Sequence, residues 1–222
     1  MASTARTDRP QGIGETLAAL VAENGSVGHP YCEAPALLHG DHNARNLADV
    51  AHFVCLLHGR YPGVIELAAQ RVTDPIPRAL LHRAGPGFAA ERAFLARLVV
   101  AAGPIPSTLG QARSEAAVIG QTHALATLAQ SERNGCALGA ALALVLDWRT
   151  IRGVLDIAAQ RFGIQPPPLE LPVLKDAMAV AVDAATTPGI ERAIAFGAQQ
   201  LLIQHRGLWD LLETREMARR EA

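Results

Sequence analysis

The nine-residue stretch GVIELAAQR at residues 63–71 recurs as GVLDIAAQR at residues 153–161, with three conservative differences. Self-similarity of this kind indicates an internal duplication, in which neighbouring copies bury the apolar faces that neither can cover alone. Both copies are rich in strong helix formers and place apolar residues three and four positions apart, which predicts helices. The repeat therefore predicts an all-α fold.

Weaker matches extend the repeat in the same order along the chain. Residues 86–94 and residues 188–194 each contain a Pro-Gly pair followed by a Glu-Arg-Ala triplet. The offset between matching residues changes only where loops or helices differ in length. We therefore predict two related units of four to five helices, packed about a pseudo-twofold axis, at about residues 13–108 and 119–206.

The rest of the chain also has helical periodicity, with Gly and Pro residues between the periodic segments. We predict one compact helical domain over residues 12–220, a helical bundle, after a polar leader at residues 1–11 that is expected to be disordered. The segment at residues 135–149 has no polar face, which predicts a central position beside the helix at residues 109–132. Ten helices are predicted, at residues 13–24, 42–58, 62–72, 76–84, 88–102, 109–132, 135–149, 151–162, 171–186 and 189–220.

Composition excludes several classes of protein. Half of the 222 residues are hydrophobic, 18% are charged and the formal net charge is -1, which is typical of a globular protein without an electrostatic preference for nucleic acid. The longest uncharged apolar stretch, residues 136–146, is shorter than the roughly 20 residues that a membrane span needs. Three cysteines cannot all pair, and no secretory signal opens the chain, so a cytoplasmic location is expected.

One segment of the first unit, about residues 25–42, has no counterpart in the second unit and carries much of the potential chemistry. Imidazole and thiolate groups at short spacings are ligands that zinc or iron accepts, and the following helix adds a carboxylate and an imidazole one turn apart. The alternative is an ordered loop whose histidines cap helices or face water. The metal site predicted here consists of His29, Cys32, His39, His42, Asp49 and His52.

Other polar residues have plainer interpretations. The polar stripe of helix 42–58 is typical of a solvent-exposed face, and His58 is expected to bind a carbonyl at the end of that helix. Trp148, His205 and Trp209 are expected in the core or at an interface. Four acids shared by the two units suggest either a di-iron centre or ion pairs with nearby arginines, and they are Glu66, Glu91, Asp156 and Glu191.

No phosphate-binding loop, nucleophile elbow or paired-cysteine motif is present in the sequence. Two functions therefore remain open. The favoured one is a non-catalytic module that binds another protein or forms a homodimer. The alternative is an enzyme, a hydrolase or an oxidoreductase, that binds a metal or a small molecule at residues 25–58.

Overall fold

The computed structural model describes residues 12–40 and 42–221, and the predicted leader at residues 1–11 lies outside them. All regular structure in the described residues is helical, which confirms the all-α prediction. No helix in this part of the chain combines the length and hydropathy that a bilayer crossing requires. The nine α-helices described are α1 (Ile13–Asn24), α2 (Pro35–Leu38), α3 (Asn43–His58), α4 (Val64–Arg71), α5 (Pro75–Ala102), α6 (Gln111–Ala129), α7 (Cys136–Arg161), α8 (Leu174–Ala184) and α9 (Pro188–Arg220).

Two predicted helix breaks are wrong, which merges four predicted helices into two, and α2 is a short helix that was not predicted, so the described residues form nine helices where ten were predicted. Helix α5 continues through Pro86, where the loss of one amide donor was expected to end it. Gly87 packs against the following chain so closely that a Cβ there would lie 2.1 Å from the carbonyl oxygen of Glu170. Helix α7 continues past Thr150 because Ile151 and Arg152 are buried, and a break there would leave backbone groups without partners.

Helix α7 lies at the centre, as its apolar sequence predicts. Every residue from Cys136 to Trp148 is buried. Its predicted neighbour α6 is instead a surface helix that buries only Val118, Leu125 and Ala129, and α7 packs most extensively along α9.

Helices α7 and α9 run parallel, and two glycines bring their backbones together. A Cβ on Gly139 would lie 2.0 Å from the carbonyl oxygen of Ile194, and a Cβ on Gly197 would lie 2.0 Å from that of Cys136. Only glycine permits this approach, so these two positions set the spacing of the central helix pair.

The two copies of the repeat have different surroundings in the fold. GVIELAAQR supplies the Gly63 N-cap and the whole of α4, whereas GVLDIAAQR forms the last part of α7 without a break. The duplication therefore stays a prediction from the sequence.

The segment at residues 25–42 folds into two 3-10 helices (Ser26–Gly28 and Pro30–Glu33) and α2. The first 3-10 helix packs against α1, α7 and α9, and α2 packs against α3. This segment therefore contributes to the core, and it places Ser26 beside the middle of α7.

Candidate functional site

A cavity of about 300 Å³ lies where α3 ends and α4 begins, with α5, α6 and α7 forming its other walls. This is at the small end of the range for ligand sites, about 300–1,000 Å³. Apolar side chains including Leu57, Val64, Phe88 and Leu144 form much of its lining. Its polar side chains are His58, Arg60, Tyr61, Arg92, Thr122 and His123.

The wall formed by α4 and α5 is held by an ion pair. The Glu66 carboxylate accepts hydrogen bonds from the Gly63 amide over 2.8 Å and from Arg92 Nη2 over 2.8 Å. The Arg92 guanidinium also lies over the Tyr61 ring, 5.4 Å from its centroid. These contacts fix the loop between α3 and α4, and with it the mouth of the cavity.

Behind His58, a chain of hydrogen bonds leads from the cavity into the core. His58 Nε2 lies 3.0 Å from His205 Nε2 on α9, and His205 Nδ1 lies 2.6 Å from Asp147 Oδ2 on α7. The side chains of His205 and Asp147 are 0% exposed. We call His58, His205 and Asp147 the relay.

Two arrangements of protons fit the distances in the relay. An ionised carboxylate only accepts, so His205 donates its Nδ1–H to Asp147. In the arrangement with a neutral His205, its Nε2 accepts and His58 donates its Nε2–H, which leaves Nδ1 of His58 to accept a proton. In the arrangement with a charged His205, its Nε2–H donates to Nε2 of His58.

Two further residues hold the Asp147 carboxylate. The Ser26 amide donates to Oδ1 over 2.7 Å, and the Ser26 hydroxyl donates to Oδ2 over 2.7 Å. Trp209 Nε1–H in turn donates to the Ser26 hydroxyl over 2.8 Å. A Cβ on Gly25 would lie 2.5 Å from Asp147 Oδ1, so the backbone approach depends on glycine. The segment unique to the first unit thus orients the acid at the base of the relay.

Burial, and secondarily the neighbouring His205, lower the pKa of His58 well below its usual value. His58 is therefore a neutral base at pH 7. Its ring packs edge-on against Trp148, with the ring centroids 5.3 Å apart, and Trp148 Nε1–H donates to Glu91 over 2.9 Å. Glu91 also pairs with Arg152, although burial raises the pKa of the Glu91 carboxyl.

The residues predicted as metal ligands are not brought together. His29 Nδ1 accepts from the Tyr31 amide over 3.2 Å, and His29 Nε2 lies 3.0 Å from Asp210 Oδ1. Cys32 is buried, which raises the pKa of its thiol. His39 and His42 are exposed on either side of Asp41, which lies outside the described residues.

The two remaining candidates on α3 bind other groups. His52 Nε2 lies 2.8 Å from the Gly103 carbonyl oxygen, and Asp49 accepts from Arg215 Nε over 2.9 Å and also from Arg219. Within residues 12–40 and 42–221, no three His, Cys, Asp or Glu side chains lie close enough to hold one ion. The zinc or iron site thus stays a prediction without geometric support.

Two expectations about α3 need correction. The stripe is not a simple solvent-exposed face, because Asn46 and Asp49 are buried and bind Arg219 and Arg215 of α9. The His58 ring binds His205 and not a carbonyl at the helix end. In both cases a long-range partner from α9, which local sequence cannot identify, decides the interaction.

The acids shared by the two units form ion pairs with arginines. Glu66 pairs with Arg92, and Arg152 pairs with both Glu91 and Asp156. Three of the four acids therefore form ion pairs in the described residues, but for Glu66 and Glu91 the partner is not the arginine that lies nearest in the sequence.

The relay is the feature that sequence reasoning missed. Its residues come from three helices and have no common spacing. A signal was nevertheless present: Asp147 is an acid at the end of the apolar run of α7, where an unpaired charge is costly and a partner is required. Histidine and tryptophan residues on α9, placed in the core from the sequence, supply those partners.

A family model described as "Family of unknown function (DUF6975)" matches residues 21–220. The chain belongs to this family. The matched range includes Ser26, the whole relay and the cavity, so the site lies within the family's domain. Neither the curated proteins nor the solved structures contain a match to the chain.

Proposed function

We propose that the protein binds a small organic molecule in the cavity and catalyses a proton transfer on it, with His58 as the general base. One observation carries this proposal: His58 lines the cavity while its Nε2 is held in a chain that ends on a buried carboxylate. A base at a cavity wall with such support matches the requirements of acid–base catalysis.

The relay can move positive charge away from the bound molecule. When His58 Nδ1 accepts a proton, its Nε2–H can pass to His205 Nε2. His205 then becomes an imidazolium whose Nδ1–H already bonds the Asp147 carboxylate. The charge that forms is therefore paired as soon as it appears, in a dry environment that strengthens the attraction.

Asp147 determines where positive charge is stable in the relay. With His205 neutral, Asp147 faces only neutral donors, and a buried carboxylate without a cation costs several kcal/mol. An imidazolium on His205 offsets that cost. The Asp147 carboxylate thus favours positive charge at His205, the inner end of the relay, while burial keeps His58 itself neutral at pH 7.

The ring opening of 5-nitrobenzisoxazole tests the proposal without the natural substrate. A base removes the proton on carbon, the nitrogen–oxygen bond breaks, and a coloured cyanonitrophenolate forms. We expect the purified protein to accelerate this reaction and His58→Gln to lower the rate constant by about 10²-fold or more. His205→Gln should lower it less, because His58 can still accept the proton.

His82→Gln is the matched control, because His82 is an exposed histidine outside the cavity. Far-UV circular dichroism establishes that each variant keeps its helices. A rate that does not depend on His58, or that falls equally in His82→Gln, would overturn the proposal.

We also infer self-association as a second candidate function. Val100 and Leu109, on either side of the α5–α6 connection, are 81% and 94% exposed, and large apolar side chains on a surface can mark an interaction site. A homodimer that covers both would remove this surface from water. Light scattering after size exclusion should then give a dimer mass, and the double variant Val100→Ser with Leu109→Ser should give a monomer mass. A monomer mass for the parent protein would exclude this candidate.

The remaining sequence predictions fit the proposed function without being needed for it. An internal duplication, supported by the nine-residue match, would explain why the relay takes His58 from one unit and Asp147 and His205 from the other. A cytoplasmic location agrees with three free cysteines. The predicted zinc or iron site is tested separately, by elemental analysis of protein purified without chelator and of a variant with His39 and His42 changed to alanine.

A further inference from the structure

The charges around the cavity indicate what kind of molecule it holds. Two arginines, Arg60 and Arg92, line it, and no Asp or Glu is among its lining residues in the described part of the chain. His58 is neutral at pH 7, because burial holds its pKa well below the usual value. The lining is therefore positive where it is charged.

The two arginines are not equivalent. The Arg92 side chain is 13% exposed and is neutralised by Glu66 through two hydrogen bonds of 3.3 and 2.8 Å. Arg60 is exposed at the cavity mouth and forms no ion pair within residues 12–40 and 42–221. Arg60 is thus the uncompensated charge that a ligand would meet.

Apolar side chains from four helices form much of the remaining lining. Leu57 and Val64 come from the helices on either side of the mouth, and Phe88 and Leu144 come from α5 and α7. A ligand that fills about 300 Å³ must bury most of its surface against such side chains, which favours an apolar body. We therefore expect a ligand that is charged at the end near Arg60 and apolar elsewhere.

We propose that the ligand is a small organic carboxylate, with its carboxylate at Arg60 and its apolar body between α4, α5 and α7. A guanidinium binds a carboxylate through two parallel hydrogen bonds. A phosphate monoester carries nearly two charges at pH 7, for which one uncompensated arginine is a poor match. This inference rests on the proposed function, because it names the ligand class of the same site.

Isothermal titration calorimetry with benzoate, benzamide and phenyl phosphate tests the ligand class. Benzoate and benzamide have nearly the same shape and differ in charge. We expect benzoate to bind at millimolar concentration at least tenfold more tightly than benzamide, and phenyl phosphate to bind no more tightly than benzoate. Arg60→Gln should abolish the preference for benzoate and leave the binding of benzamide unchanged.

Arg113→Gln is the matched control, because Arg113 is exposed on the same helix as His123 and about 15 Å further along its axis. Benzoate should also inhibit the ring opening of 5-nitrobenzisoxazole in the parent protein and fail to inhibit it in Arg60→Gln.

The outcomes separate the two proposals. Equal binding of benzoate and benzamide, or no binding of either, would overturn the carboxylate assignment while a His58-dependent ring opening kept the proposed function. Tighter binding of phenyl phosphate would assign the site to phosphate esters instead. Absence of ring opening together with charge-selective binding of benzoate would remove the catalytic proposal and leave a carboxylate-binding protein.

Discussion

The neutrality of His58 has a measurable effect on the stability of the protein in acid. In the unfolded chain a histidine has a pKa of about 6.5, and in the folded protein burial and His205 hold the pKa of His58 well below that value. Above about pH 6.5 neither state binds the proton. Below it the unfolded state binds a proton that the folded state refuses, so the free energy of unfolding falls as the pH falls.

The size of the effect follows from linkage. Each pH unit between the unfolded and the folded pKa removes about 1.4 kcal/mol, so His58 alone removes at most about 2 kcal/mol between pH 7 and pH 5. The His58 ring contacts His205, which in turn binds Asp147, and it packs edge-on against Trp148. Arg60, Arg92 and His123 line the same cavity.

Urea unfolding of the parent protein and of His58→Gln at the two pH values measures this difference. A difference between the variant and the parent in the free energy of unfolding at pH 7 does not affect the test, because the prediction concerns only the change with pH. We expect the parent to lose up to about 2 kcal/mol more than His58→Gln. The exposed-site control His82→Gln should lose as much as the parent. Equal losses in the parent and in His58→Gln would mean that His58 binds its proton as readily in the folded as in the unfolded protein, and the argument from a lowered pKa would fail.

Two further predictions concern packing and buried charge. In thermal unfolding, Gly139→Ala should destabilise the protein by about 3 kcal/mol, because its Cβ would meet the backbone of α9. Gly153→Ala in the same helix meets nothing within 4 Å and should stabilise the protein by about 1 kcal/mol. A similar effect of the two substitutions would contradict the close contact at Gly139. Asp49→Ala should cost about 3–5 kcal/mol in urea unfolding, because it leaves the buried Arg215 without its partner. Asp156→Ala, which removes a partly exposed partner of Arg152, should cost less than about 1 kcal/mol, and a comparable loss in the two variants would refute the assignment of Asp49 to a buried ion pair.

The helices were predictable where local signals agree with packing. Helix α1 has the predicted bounds, and α9 begins one residue before its predicted start, where Thr187 caps it and Pro188 opens it. Pro86 shows the opposite case. Its local signal for a break is strong, but α5 is packed against the chain around Glu170 and continues. Tertiary contacts of that kind have no signature in a short window of sequence.

The sequence predicts which residue types are available to the site, but not how they are arranged. The sequence indicates that the first unit holds most of the histidines and that α9 carries His205 and Trp209. It cannot indicate that α9 returns beside α3 and α7, which is what brings His58, His205 and Asp147 together. The same return places Arg215 against Asp49, one of the residues that the sequence suggested as a metal ligand.

The glycine contact between α7 and α9 is also the point about which any change in the angle between the two helices would occur. Asp147 and His205 each lie eight residues beyond Gly139 and Gly197, so their hydrogen bond is about 12 Å further along the pair of axes. A change of only about 5° in the angle between the axes would move the two side chains apart by about 1 Å, enough to break a bond of 2.6 Å. The precision of the relay is therefore set at a distance, by two positions that carry no side chain at all.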